Sequence, residues 1–170
     1  MSKKKDGHGG SIAGQRAETK TRIAVEGIGW KFLKVKKEFE DTPYCYLGTI
    51  RFQRPEDYCL VTGKGYFLSD GLLVAPDGKV WILETKNSNI RGSAEEKVFY
   101  DLEKIKDGIY GNKYPLIYLF TGPNCEKVNE FLLFEKRIKE LKLENVTVLF
   151  DPTPGRTRLK EFLNSQDYHE

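Results

Sequence analysis

The sequence predicts an α/β (α+β) fold, a mixed central β-sheet flanked by helices, and three stretches carry that prediction. Phe67 to Lys86, FLSDGLLVAPDGKVWILETK, reads as two strands joined by a tight turn. Pro115 to Thr121, PLIYLFT, is a continuous apolar run of strand length, the pattern of a strand buried on both faces. Cys125 to Leu141 is amphipathic at helical spacing, with Val128, Phe131, Leu132, Phe134, Ile138 and Leu141 apolar. Strands alternating with helices of this length put a sheet in the middle and helices on its faces.

Composition bounds the rest. The 170 residues suffice for one domain with its own core and fall short of a comfortable two. No apolar run approaches ~18 residues, so no transmembrane helix is expected. The start, MSKKKDGHGG, is a basic, Gly-rich tail over residues 1–10, without the apolar stretch of a secretory signal. The three cysteines, Cys45, Cys59 and Cys125, are widely spaced and form no CxxC, which supports neither a zinc knuckle nor a disulfide framework and fits a cytoplasmic setting. Both histidines, His8 and His169, lie at the ends, which argues against chemistry that needs a buried His base or zinc ligand. A net charge of +3 permits nucleic-acid binding without establishing it.

The elements follow in order. Ser11 to Ile28 reads as a helix, with Ser11 as N-cap and Gly27 and Gly29 as stop signals. Trp30 to Val35 reads as a strand. Lys36 to Gly65 reads as an inserted hairpin or irregular arm, in which Tyr44 to Phe52 and Asp57 to Gly63 are strand material split by Arg54-Pro55. The hairpin from Phe67 turns at Ala75-Pro-Asp-Gly78, where Pro presets one turn position and Asp-Gly tolerates positive φ. Ser93-Ala-Glu-Glu96 is a capping box opening a helix that stops at Asp107-Gly108. Strand Pro115 to Thr121, helix Cys125 to Leu141, strand Asn145 to Phe150 and a short helix Thr157 to Asn164 complete the chain.

The chemistry concentrates in the hairpin. In Val80 to Lys86, side chains alternate, so Val80, Ile82, Glu84 and Lys86 share a face. An apolar face thus ends abruptly in an acid and a base. If the turn occupies Ala75 to Lys79, Val74 faces Val80, and the same register sets Asp70 opposite Glu84. Directly opposed residues have Cβ atoms ~4.5–5.5 Å apart, too close for two ionised carboxylates without a proton or cation between them. A one-residue slip would change the face that Asp70 uses. Mg²⁺ suits such a pair, because it binds through one or two carboxylates and completes its shell with water and phosphate oxygens. Lys86 beside it could position an attacking water or stabilise charge developing on phosphate.

Asp70 followed by Glu84-Thr85-Lys86 resembles the PD-(D/E)xK nuclease superfamily, which includes many type II restriction endonucleases and archaeal Holliday-junction resolvases. Arg16-Ala17-Glu18, set about three turns before Gly29-Trp30, resembles the acidic first helix of the resolvase-like members. Gly92 to Lys97 resembles the start of the helix after ExK in some restriction enzymes. Ser69 departs from the pattern, standing where the family has a nominal Pro. The resemblance implies a restriction-endonuclease-like core with an inserted β arm. It implies that Asp70 and Glu84 bind metal, with the Thr85 carbonyl as a third ligand. Lys86 would assist the nucleophile, and Glu18 would serve a metal-coordinated water or a second metal, with Glu26 as its competitor.

Residues for DNA contact are Lys97, Tyr100 and Lys104, on one stripe of the helix after ExK, and Arg51 and Arg54 in the arm among Tyr44, Tyr46 and Phe52. Arg156, Arg158 and Lys160 form a further basic cluster. The expected protein is a Mg²⁺-dependent endodeoxyribonuclease, with Mn²⁺ able to substitute. It would cut double-stranded DNA as a type II restriction endonuclease and act as a homodimer. The alternatives are a junction-resolving nuclease and an inactive DNA-binding module of the same fold.

Overall fold

The computed structural model describes residues 12–29, 32–33, 45–53, 66–75, 77, 79–88, 94–108 and 115–166, with side chains described for 19–29, 70–75, 77, 79–88, 97–108 and 115–166. The chain runs α1 (Ile12–Glu26), β1 (Phe32–Leu33), β2 (Cys45–Gln53), β3 (Tyr66–Val74), β4 (Val80–Asn87), α2 (Ala94–Lys106), β5 (Leu116–Thr121), a 3₁₀ turn (Cys125–Lys127), α3 (Asn129–Glu140), β6 (Val146–Asp151) and α4 (Thr157–Asn164). Six strands form one mixed sheet in sequence order. β1 pairs parallel to β2, and β2, β3 and β4 pair antiparallel. β4, β5 and β6 then pair parallel. β4 is therefore the seam, antiparallel to one neighbour and parallel to the other.

The hairpin forms where its turn chemistry puts it. The Ala75 N–H donates to the Lys79 carbonyl at 2.7 Å, and the Asp77 carboxylate accepts the Lys79 N–H at 2.9 Å. That short carboxylate-to-backbone bond is the reason Asp favours such turns. The register that follows is Val74 to Val80, Leu73 to Trp81, Leu72 to Ile82 and Gly71 to Leu83. It is the expected one, without a slip.

Helices cover both faces. Ile82, Tyr118 and Phe120 face α2 and α3 in one apolar cluster, with Phe120 stacked on Phe131 at 4.1 Å between ring centroids. Trp81, Leu83, Ile117 and Leu119 face the other way, in a cluster with Val25 of α1 and Leu159 and Leu163 of α4. Every residue of β5 is buried, as its unbroken apolar run predicts. Gly108 ends α2 at φ +70°, a conformation that costs glycine little and side-chain-bearing residues more. No helix among the described residues is long and apolar enough to cross a membrane.

Three expectations change. Cys45–Gln53, expected within an inserted arm, is a nine-residue strand of the sheet, flanked by β1 and β3. A one-residue alternation of apolar and polar side chains cannot by itself tell an added hairpin from a sheet strand. The rest of that stretch, including Arg54, lies outside the described residues, as do the tail, both histidines and Ser93. The helix expected from Cys125 begins only at Asn129, because Val128 is extended at φ −81°, ψ 114° and separates the 3₁₀ turn from α3. Phe131, Phe134 and Ile138 of α3 are buried, whereas Leu132 and Leu141 are exposed. Arg156, expected in a phosphate-binding cluster, is buried: it donates to Thr21 Oγ1 and to the Thr153 carbonyl, both at 3.3 Å. Arg158 in turn pairs with Glu126. Arg156 ties α1 to the β6–α4 loop and presents no free guanidinium to a ligand.

Candidate active site

The β3–β4 ladder ends at Gly71 and Leu83. The next pair in that register is Asp70 with Glu84, at the point where β4 continues alongside β5 alone. Here the aspartate side chain replaces a backbone partner: the Thr85 N–H donates to Asp70 Oδ2 at 2.8 Å. Asp70 therefore caps the end of the ladder and fixes its own carboxylate beside β4.

Glu84 is 5 % exposed, and its Oε1 is buried without a hydrogen-bond partner. Burial and the neighbouring Asp70 carboxylate push its pKa well above the usual carboxylate range, against the opposing pull of Lys86. Burial also raises the pKa of Asp70, only partly countered by the Thr85 N–H and Lys86. Two carboxylates that each disfavour ionisation, one with a bare buried oxygen, call for a proton or a cation between them.

Lys86 lies two residues along the same face of β4. Its Nζ is 3.0 Å from Asp101 Oδ2 and sits over the Tyr118 ring, 5.7 Å from the centroid. Burial works to lower its pKa, but Asp101, Glu84 and Asp70 outweigh burial and raise it, so it stays an ammonium. Asp101, on α2, is 4 % exposed and is held from three sides. Lys86 is one partner, Lys104 Nζ approaches Oδ1 at 2.5 Å, and the Tyr118 hydroxyl donates to Oδ2 at 2.7 Å. Burial favours its neutral form, and these partners reverse that and hold it below the usual carboxylate range.

The structure thus brings Asp70, Glu84 and Lys86 together. It places Thr85 between them, engaged through its N–H. Lys97 and Tyr100 lie exposed on α2, and Lys104 spans from Asp101 to the Tyr100 ring, 4.6 Å from its centroid. Glu26, the alternative to Glu18 in the first helix, is exposed and paired with Arg22 at 3.2 Å. Glu18 lies within α1 and Arg51 within β2, but the side chains of both are outside the described set. The described part of α1 packs, through Val25, on the sheet face opposite Ile82.

Sequence reasoning missed Asp101 and Tyr118. A signal existed for the first. Val98, Leu102 and Ile105 form the buried stripe of α2, and Asp101 falls within it. A charge at a core position needs a partner, and Lys86 is the one the sheet supplies.

A divalent cation fits the donor set. Mg²⁺ is commonly held by only one or two carboxylates, and Asp70 and Glu84 offer hard oxygen ligands, one of them the unpartnered Glu84 Oε1. Among the described residues, no group of three or more His, Cys, Asp and Glu side chains gathers around one point. Further ligands would therefore come from solvent, substrate or backbone. Compared with known proteins, the chain matches no family model, no curated protein and no solved structure.

Proposed function

We propose that the protein is a Mg²⁺-dependent endodeoxyribonuclease of the PD-(D/E)xK type. One observation carries the proposal: buried Glu84, with Oε1 unpartnered, stands at the end of the β3–β4 ladder opposite Asp70 and two residues before a half-buried lysine. When bound, the metal would act as a Lewis acid on the phosphate and make water a better nucleophile. The chain's own residues do the rest. Asp70, tied to Thr85 through Oδ2, offers Oδ1 to the cation, and Glu84 offers its bare oxygen. Lys86 brings a fixed positive charge to the place where the phosphate oxygens gain negative charge in the transition state. Lys97 and Tyr100, exposed on α2, would meet the sugar–phosphate backbone beside the scissile bond. Glu18, Arg51 and Arg54 keep their expected roles in this reading, as a third acid and as DNA contacts.

The substrate we favour is duplex DNA cut at discrete sites, by a homodimer that addresses both strands. The junction-resolving reading gains from one observation: Cys45–Gln53 belongs to the sheet and leaves less chain for a separate recognition element. Digestion of a long duplex with Mg²⁺, and again with EDTA, tests the proposal. Discrete fragments support the restriction-type reading, and selective cutting of four-way junctions supports the alternative. Cutting that persists in EDTA would refute the metal mechanism. Binding without cleavage in both Mg²⁺ and Mn²⁺ would leave an inactive DNA-binding module.

A further inference from the structure

The catalytic-type residues of the hairpin are not free-standing. Among the described residues, the charged end of Lys86 reaches outside the β3–β4 pair to Asp101 on α2. A lysine has a flexible four-carbon stem, so an ammonium in a reaction needs something to fix it. Asp101 is built for that. It is buried at 4 % exposure, it points from the apolar stripe of α2 toward the sheet, and both of its oxygens are engaged. The Tyr118 hydroxyl, from the neighbouring strand β5, holds the same Oδ2 that contacts Lys86 at 3.0 Å. The Tyr118 ring forms the floor under the ammonium. A simple packing role for α2 would be served by an apolar residue at this position, without the cost of burying a carboxylate.

We propose that Asp101, braced by Tyr118 and Lys104, is the positioning residue for Lys86, fixing its ammonium beside the Asp70–Glu84 pair. It touches neither cation nor substrate and acts through Lys86. The proposal deepens the nuclease reading and rests on it for the catalytic consequence, whereas the contact itself is measurable without any activity.

The test uses the full chain with ¹⁵N-labelled lysine. In the unaltered protein the Lys86 ammonium should give a resolved NMR signal, protected from exchange unlike the exposed lysines. Fast exchange there overturns the proposal with no variant needed. Asp101→Asn should remove the protection. It should also lower the single-turnover cleavage rate with Mg²⁺ by about 10- to 100-fold, the usual cost of losing a residue that orients a functional one. DNA affinity measured in Ca²⁺ should not change. Tyr118→Phe, a smaller change, should weaken the protection in part and serves as the readout if Asp101→Asn does not fold. A purely structural Asp101 would lower the melting temperature while leaving the ammonium signal and the rate of the folded fraction unaltered, and that result overturns the proposal. If the unaltered chain cuts no DNA, the nuclease reading fails, and the ammonium signal still decides whether Asp101 positions Lys86.

Discussion

Asp70 accepts the N–H of Thr85 at 2.8 Å, so one carboxylate both closes the β3–β4 ladder and faces Glu84. Its two roles separate on substitution. Asp70→Asn retains an oxygen for the Thr85 N–H and loses the charge, so cleavage should vanish while the fold keeps its stability. Asp70→Ala also strands a part-buried N–H and should cost about 1–3 kcal/mol in addition. Urea denaturation of both variants beside a plasmid-nicking assay checks this. Equal stability of the two would show that the Thr85 bond contributes nothing.

Glu84 sets a pH dependence of stability. Its folded-state pKa is raised, by burial first and by Asp70 second, above an unfolded value of about 4.3. A raised carboxylate pKa means that folding favours the protonated form. The favourable contribution is complete below the unfolded pKa and is lost as pH climbs through the folded one. Metal-free protein should therefore lose stability as pH rises from the acid range. Glu84→Gln should flatten that slope and melt higher than the unaltered chain at neutral pH. Thermal melts across this range in EDTA decide it, and a glutamine variant that melts lower at neutral pH contradicts the assignment.

A cation should reverse the same penalty. Ligand bound only by the folded chain stabilises it by about 2.7 kcal/mol at a hundredfold excess over Kd. Mg²⁺ should raise the melting temperature of the unaltered protein, and the rise should disappear in both Asp70→Asn and Glu84→Gln. Calorimetric melts with and without Mg²⁺ provide the measurement. An undiminished shift in both variants would place the cation elsewhere.

Arg156 and Lys97 should behave in opposite ways. Arg156→Ala removes a buried guanidinium that bonds Thr21 and Thr153, so it should cost about 1–3 kcal/mol of stability. It should leave the affinity of folded protein for DNA unchanged. Lys97→Ala, at an exposed position, should leave stability within about 0.5 kcal/mol. It should lower the salt slope of DNA binding by about 0.9, the loss of one phosphate contact. Denaturation curves and binding isotherms at several salt concentrations separate the two.

The hairpin and its register were legible because they are local: an Ala-Pro-Asp-Gly turn and strict alternation fix which residues oppose one another, and Asp70 against Glu84 follows. β5 was legible from its unbroken apolar run. What escaped depends on contacts distant in sequence. Asp101 acquires its meaning only when α2 packs on the sheet and meets Lys86 and Tyr118. Arg156 sits in a loop after a Pro-Gly turn, where a basic residue reads as surface, and its burial arises only once α1 and α4 close over it. The break at Val128 was hidden because Cys125 on one side of it and Phe131 on the other both point inward, which imitates a single helical stripe.

β4, the seam between the antiparallel and parallel halves, has a further consequence. Most of its amides are locked to a neighbour on one side or both, and its four central side chains, Trp81 to Glu84, are buried. Amides in such a segment exchange with solvent only through openings that approach global unfolding, unlike the loosely held loops that carry many binding sites. Glu84 and Lys86 therefore belong to the last part of the molecule to breathe. Their separation is set by the pleat of a strand and not by the closing of a loop, and on the nuclease reading a substrate would meet a charge pattern that was finished when the chain folded.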